Sequence, residues 1–206
     1  RAQFNKGIKM RLGSDPELLL VDSHGNLKSV IGLVGGTKDQ PLQIVDLPPG
    51  YTVQEDNVAL ELGIPPCSSA SEYVAALRVC INRAMSLLPG LEISPLSAAS
   101  FPNEELEHPL ANVFGCEPDF NAWTGLENVK PRALDANLRS AGGHIHVETD
   151  LPRELVIQAM DFYLSIPAVL MDKGELRKQL YGKAGAYRPK SYGVEHRVLS
   201  NFWVLE

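Results

Sequence analysis

Three short apolar runs in this chain carry charged residues at their centres, and few folds can accept that. The first is Gly13-Ser14-Asp15-Pro16-Glu17-Leu18-Leu19-Leu20, the second Glu55-Asp56-Asn57-Val58-Ala59-Leu60-Glu61-Leu62, the third Tyr192-Gly193-Val194-Glu195-His196-Arg197-Val198-Leu199. Burying an unpaired charge is costly, and in an extended strand residues i and i+2 project from one face. Asp15 and Glu17 therefore share a face, as do Glu195 and Arg197, while Glu61 opposes its neighbours Leu60 and Leu62. For any one of these strands the wet face of a half-exposed antiparallel sheet is a sufficient account. Together they predict strands that converge on a common acid-lined site.

A fourth run, Ala141-Gly142-Gly143-His144-Ile145-His146-Val147, places two imidazoles on one face behind two glycines that permit a close approach. Two hydrogen-bonded histidines on a partly buried strand would account for the motif taken alone. With the carboxylates, the imidazoles form a donor set for a hard cation, Mg²⁺ or Mn²⁺, more than for structural zinc. Arg197, two residues beyond an acid, offers a fork for phosphate or carboxylate oxygens.

The remainder sets the frame. A length of 206 residues suits a single domain spanning 1–206, and 44% hydrophobic with 21% charged residues is ordinary for a globular chain. A net charge of −6 with no Lys/Arg cluster gives no footprint for nucleic acid or an anionic membrane. Apolar runs such as Glu17 to Val21 are far shorter than the ~20 residues that span a bilayer, so no membrane partner is expected. The N-terminus has no apolar core of signal-peptide length. Three widely spaced cysteines, Cys67, Cys80 and Cys116, predict free thiols in a reducing cytoplasm. The chain starts without Met and ends on Val204-Leu205-Glu206, which reads as a strand, so truncation or a tag at either end is open.

Residues Ile8 to Val21 read as a strand, Asp22 to Asn26 as a turn and Leu27 to Ile31 as its return. The Gly- and Pro-rich stretch 32–51 is a surface loop that brings Lys38 within reach of a site. Strands follow at 52–53 and 58–64. Ser69 and Glu72 form a capping box for a helix ending at Pro89-Gly90. A strand is expected at 91–97, a helix from Leu151 to Leu170 capped by Asp150, and a short helix at 172–180. Strand pairs and isolated helices in this order define an α+β class, an antiparallel sheet with helices packed on one face.

The four charged motifs, in this order, resemble the catalytic strands of the glutamine synthetase superfamily. Within it, the Gly-Ser-Asp-Pro-Glu, Glu-Asp-Asn, Gly-Gly-His-x-His and Tyr-Gly-Val-Glu-x-Arg signatures are most similar to phage-type carboxylate-amine ligases, the COOH-NH2 ligase type 2 group. The resemblance implies a glutamine synthetase-like sheet and ATP-dependent amide formation between a small-molecule or peptide carboxylate and an amine through an acyl phosphate, in the cytoplasm, of the host if phage-encoded. It implies that Glu17 and Glu61, with Glu55 or Asp56 as a third, hold one Mg²⁺ or Mn²⁺, and that Asp15, His144 and Glu195 hold a second. Arg197 and Arg188 would contact phosphate oxygens, with His146 and Lys183 as further nucleotide or phosphate contacts. An oligomer is left open.

Departures qualify the transfer. Asp15 stands where the family has Glu, one methylene shorter, and the six-residue step from Glu55 to Glu61 leaves the partner of Glu61 open among Glu55, Asp56 and Asn57. No P-loop is present. The Glu117-to-Trp123 segment reads as substrate-facing or as a tight turn capped by Asp119. Rival readings are a catalytically silent nucleotide- or metal-binding module of the same fold, a cupin-like metalloenzyme, for which Glu148 follows His146 too closely, and an amidohydrolase, for which the βα alternation is missing.

Overall fold

The computed structural model describes residues 10–113, 118–132 and 135–205. In chain order the elements are β1 (Arg11–Ser14), β2 (Glu17–Leu18), β3 (Leu20–Asp22), β4 (Leu27–Lys28), β5 (Leu42–Gln43), β6 (Thr52–Asp56), β7 (Ala59–Gly63), α1 (Ala70–Ser86), β8 (Leu91–Ile93), β9 (Ala98–Ser100), β10 (Phe120–Asn121), β11 (Leu138–Ser140), β12 (Ile145–Glu148), α2 (Arg153–Met160), α3 (Ile166–Met171), α4 (Glu175–Lys178), β13 (Ala186–Lys190) and β14 (Gly193–His196). The class is α+β, with every ladder antiparallel.

Two sheets carry the charged motifs. One has the order β1-β12-β14-β13-β10, the other β2-β7-β6-β5. They meet along residues 11–18. β1 pairs with β12, putting Gly13 opposite His146, while β2 pairs with β7, putting Glu17 opposite Glu61. Between these ladders Leu12 and Cys67 exchange backbone hydrogen bonds of 2.8 and 2.7 Å, and Pro16 O accepts from Leu62 N at 3.0 Å. Alternation along this shared strand divides the molecule. Leu12 and Leu18 point to the helices, whereas Asp15 and Glu17 point to the opposite side.

Behind β7 and β6, α1 buries Ala76, Leu77, Cys80 and Ala84 against Leu18, Val53, Leu60 and Leu62. Its N-terminus follows from sequence: Ser69 Oγ accepts from Glu72 N at 3.2 Å, and Glu72 Oε2 in turn accepts from Ser68 N at 2.7 Å. Behind β12 and β14, α2 lays the fully buried Ile157 on Val147, Tyr187 and Val194. Cys67 and Cys80 are buried free thiols; Cys116 lies outside the described residues.

Several expectations are corrected. The polar 54–56 stretch is not a break between strands but the end of β6, in a hairpin with β7 closed by Asn57 at φ 55°. The 151–170 helix is not capped by Asp150, since the residue before α2 is Pro152 and no side chain caps it. It also widens into a π-turn at Asp161–Ser165, which directs both Asp161 and Ser165 to the sheet, where Ser165 Oγ lies 3.0 Å from Asp161 Oδ1 and 2.9 Å from His196 Nε2. Residues 201–205 form a 3₁₀ turn in place of a strand. Finally, the strand runs are not the longest apolar stretches: Arg153–Met171, at 19 residues, is long and apolar enough to cross a membrane by length and composition, although Ile157, Asp161, Ser165 and Ala168 pack inward.

The shared strand makes Leu18 a sensitive position, because it is fully buried at the junction of both sheets. Leu18→Ala is expected to lower unfolding free energy by about 2–5 kcal/mol, read from urea denaturation as a lower midpoint at unchanged m.

Candidate metal centre

The face of the joined sheets opposite the helices bears the charged side chains. Register explains the convergence. Ser14 pairs with Ile145 and Ile145 with His196, so one step further brings Asp15 beside His144 and His144 beside Arg197. His144 Nδ1 lies 3.5 Å from Asp15 Oδ1, 3.6 Å from Glu195 Oε1 and 3.5 Å from Arg197 Nη1. Asp15, His144 and Glu195 thus form one group able to hold a metal ion. The glycines before His144 have a steric reason to be glycines: a Cβ on Gly142 would collide with the His144 imidazole, and one on Gly143 would collide with Ser200 O and Trp203 Nε1.

A second group, Glu17, Asp56 and Glu61, is assembled by the neighbouring hairpin. Glu17 and Glu61 are register partners, and Gln54, opposite Glu61 on its other side, donates to Glu61 Oε1 at 3.0 Å. Glu17 Oε2 accepts from Gly142 N at 2.7 Å, tying this group to the histidine motif. Glu55 does not join it. Alternation turns Glu55 to the other face of β6, where Oε1 accepts from the backbone N–H of Gly32, Val34 and Gly35 at 3.0, 3.0 and 2.6 Å. Asp56, the alternative third acid, faces the cavity instead.

Asp15 and His144 of the first group and Glu17, Asp56 and Glu61 of the second line one cavity of about 860 Å³, together with Arg188, Arg197, Lys38, Arg139, Arg177 and Lys190, while Glu195 is fully buried and does not line it. Arg197 pairs with Glu195 and Arg188 Nη1 lies 3.5 Å from Glu195 Oε1. His146 and Lys183 do not line this cavity. Lys183 is exposed in the turn before β13. His146 Nδ1 lies 2.7 Å from Tyr192 Oη, with the Tyr192 ring stacked on it, and its buried Nε2 stands 3.0 Å from Asp15 Oδ2, at ion-pair distance but without a hydrogen bond. It orients Asp15 from the side. The Glu117-to-Trp123 stretch is divided: Glu117 lies outside the described residues, Asp119 faces Arg197 (3.8 Å), and the turn is capped by Asn121 Oδ1, which accepts from Trp123 N and Thr124 N.

Sequence reasoning passed over Lys190, Gln54, Arg139 and Arg177. Lys190 Nζ sits 2.7 Å from Glu195 Oε2, and its signal was available, since it stands two residues after Arg188 on a strand. Gln54 likewise precedes Asp56 by two. Arg177 enters from the short helix α4 and Arg139 from β11, and no local pattern announces either.

The two groups differ electrostatically. Burial works to raise the Asp15 carboxyl, but the imidazoles of His144 and His146 outweigh it and hold it well below the usual carboxylate range. Burial likewise opposes Glu195, which His144, Arg197 and Arg188 nevertheless hold at about 2. In the other group burial and the negative charges of Asp15, Glu17 and Asp56 push Glu61 well above its ordinary value, and burial with the charge of Asp56 raises Glu17 despite His144. Three carboxylates gathered so closely that two of them are raised, despite the charges of His144 and Arg197 nearby, are the arrangement a divalent ion would relieve. In the first group Asp15 Oδ1 is buried and accepts no hydrogen bond. The oxygen-rich donor sets thus fit hard cations.

Residues 127–206 match the sequence model of the family described as Phage phiEco32-like COOH.NH2 ligase-type 2. The resemblance to this ligase group stands over that stretch, which holds the Gly-Gly-His-x-His strand, α2 to α4 and the Glu-x-Arg strand. No curated protein and no solved structure matches the chain.

The raised Glu61 fixes the sign of a pH effect. A carboxyl whose folded value exceeds its unfolded one binds its proton more tightly in the native state, so metal-free stability falls as pH rises from the ordinary carboxylate value through the raised one. Glu61→Gln is expected to melt ~2–4 °C above the metal-free wild type at pH 7, with the gap closing towards pH 4.5. Mg²⁺ or Mn²⁺ should raise the melting temperature of the wild type more than that of the variant, which keeps only the Asp15, His144 and Glu195 group intact; thermal melts at several pH values check both.

Proposed function

We propose that this chain is an ATP-dependent carboxylate-amine ligase that uses Mg²⁺ or Mn²⁺ and works through an acyl phosphate on a glutamine synthetase-like sheet. The observation that carries the reading is the single cavity in which two carboxylate groups, built on one shared strand, face a cluster of cations. The family matched over residues 127–206 is a carboxylate-amine ligase by its description. Phosphoryl transfer depends on positioned cations more than on a protein nucleophile, and this cavity supplies such positioning.

In this reading Glu17, Asp56 and Glu61 would hold one ion and Asp15, His144 and Glu195 the other, the ions neutralising the charge of the polyphosphate when bound. Arg197 and Arg188 stand beside Glu195 and would meet phosphoryl oxygens; Lys190, on the same face of β13 as Arg188, adds a third positive charge. His146 keeps Asp15 oriented through Nε2, with Tyr192 fixing the ring at Nδ1. A substrate carboxylate oxygen would attack the γ-phosphorus with ADP leaving. The amine nitrogen would then attack the acyl carbon, inorganic phosphate would leave, and the amine proton would pass to solvent. The setting proposed is the cytoplasm.

The test is ADP and phosphate release from ATP and Mg²⁺ across panels of carboxylates and amines. Turnover that requires both partners is expected, with Glu195→Ala and His144→Ala reduced at least ~10²-fold. Metal-dependent ATP binding without ADP formation in any combination would favour the silent module. Arg197→Lys is expected to keep the fold and lose turnover, because a point charge cannot replace a two-pronged guanidinium; unchanged turnover would remove Arg197 from the phosphoryl step.

A further inference from the structure

On the side of the five-stranded sheet away from the cavity, the helical stretch 153–171 has a broad apolar face that the described residues leave uncovered. Leu155, Phe162, Tyr163, Ile166, Val169, Leu170 and Met171 are each between 55% and 85% exposed. Between Glu154 and Asp172 the only charged side chain is Asp161, which is buried against His196 and the Trp123 indole N–H. A folded monomer rarely leaves an apolar patch beyond a few hundred Å² in water. The exposed area of these seven side chains is on the order of the ~800 Å² per partner that a standard stable interface covers.

The order of the exposed residues identifies the partner. Reversed about a point between Phe162 and Tyr163, most of the face falls on apolar residues of the same stretch: Leu155 on Leu170, Val156 on Val169, Ala159 on Ile166 and Phe162 on Tyr163, with Met171 at the end falling on Glu154. An isologous contact requires such self-complementarity, because each patch must meet its own copy turned through 180°. Small Ala159 opposite Ile166 lets two helices approach. The π-turn at 161–165 is centred on Tyr163, next to this point. Trp123, edge-on to Phe162 at 5.8 Å, widens the patch on one side.

We infer that two copies of this chain associate through an antiparallel pairing of residues 153–171 about a two-fold axis between Phe162 and Tyr163. The cavity lies on the opposite face of the sheet, so each copy presents its own site to solvent.

Sedimentation of the full chain is expected to give a dimer, and Leu170→Lys or Phe162→Glu to raise its dissociation constant at least ~10-fold while leaving divalent-cation binding and circular dichroism as in the wild type. With Cys116 replaced by Ser, Tyr163→Cys is expected to cross-link one copy to the other under mild oxidation, because residue 163 lies next to the axis; a cysteine at exposed Val45, remote in sequence from the stripe, should not. A monomer at all concentrations overturns the inference. So does a dimer indifferent to both charge variants and not cross-linked at 163. A monomer that binds neutral phosphatidylcholine vesicles through Leu170 and Phe162 would assign the face to a lipid surface instead.

Discussion

Everything at this site depends on the period-two alternation of one strand, residues 11–18. It is the edge at which two antiparallel sheets join, hydrogen-bonded to β12 on one side and β7 on the other. Its even-numbered leucines anchor it to the helices, and its odd-numbered acids fall one into each carboxylate group. A shift of one residue would bury both acids and expose both leucines. The apolar packing behind the strand thus supplies the free energy that holds charge in front of it. Pro16 is tolerated in the middle because its carbonyl still accepts from Leu62 N, the bond a proline can make.

The site divides into parts of unlike electrostatic character. Around Glu195, His144, Arg197 and Arg188 keep an otherwise fully buried carboxylate ionised, and Lys190 adds an ion pair at 2.7 Å. Around Glu61 the neighbours are acids, and one proton is readily retained. One end is preorganised for anions with a cation between; the other is short of positive charge. Under the proposed function, a polyphosphate with its metal ions would match that polarity.

How much of this was legible in the sequence follows from what is local. Alternation within strands is local, so Asp15 with Glu17, His144 with His146, and Glu195 with Arg197 were placed on common faces before any register was known. Glu55 and Asp56 adjoin each other, and only the hairpin register decides between them; Glu61 sits opposite Gln54, which puts Asp56, two residues on, in front and Glu55 behind. The likeness of His144 and His146 also concealed a difference of depth, since one looks into the cavity and the other is held between Asp15 and Tyr192. Arg139 and Arg177 come from elements far apart in sequence, and the cavity joins them to the motifs through tertiary packing alone.

Glu55, absent from the acidic front, has its own consequence. A single carboxylate on the reverse face of β6 gathers three backbone amides of the 32–35 loop, with Gly35 and Gly36 both at positive φ to make the bend. The segment that brings Lys38 to the cavity wall is therefore moored, through one side chain, to the strand whose next residue is Asp56.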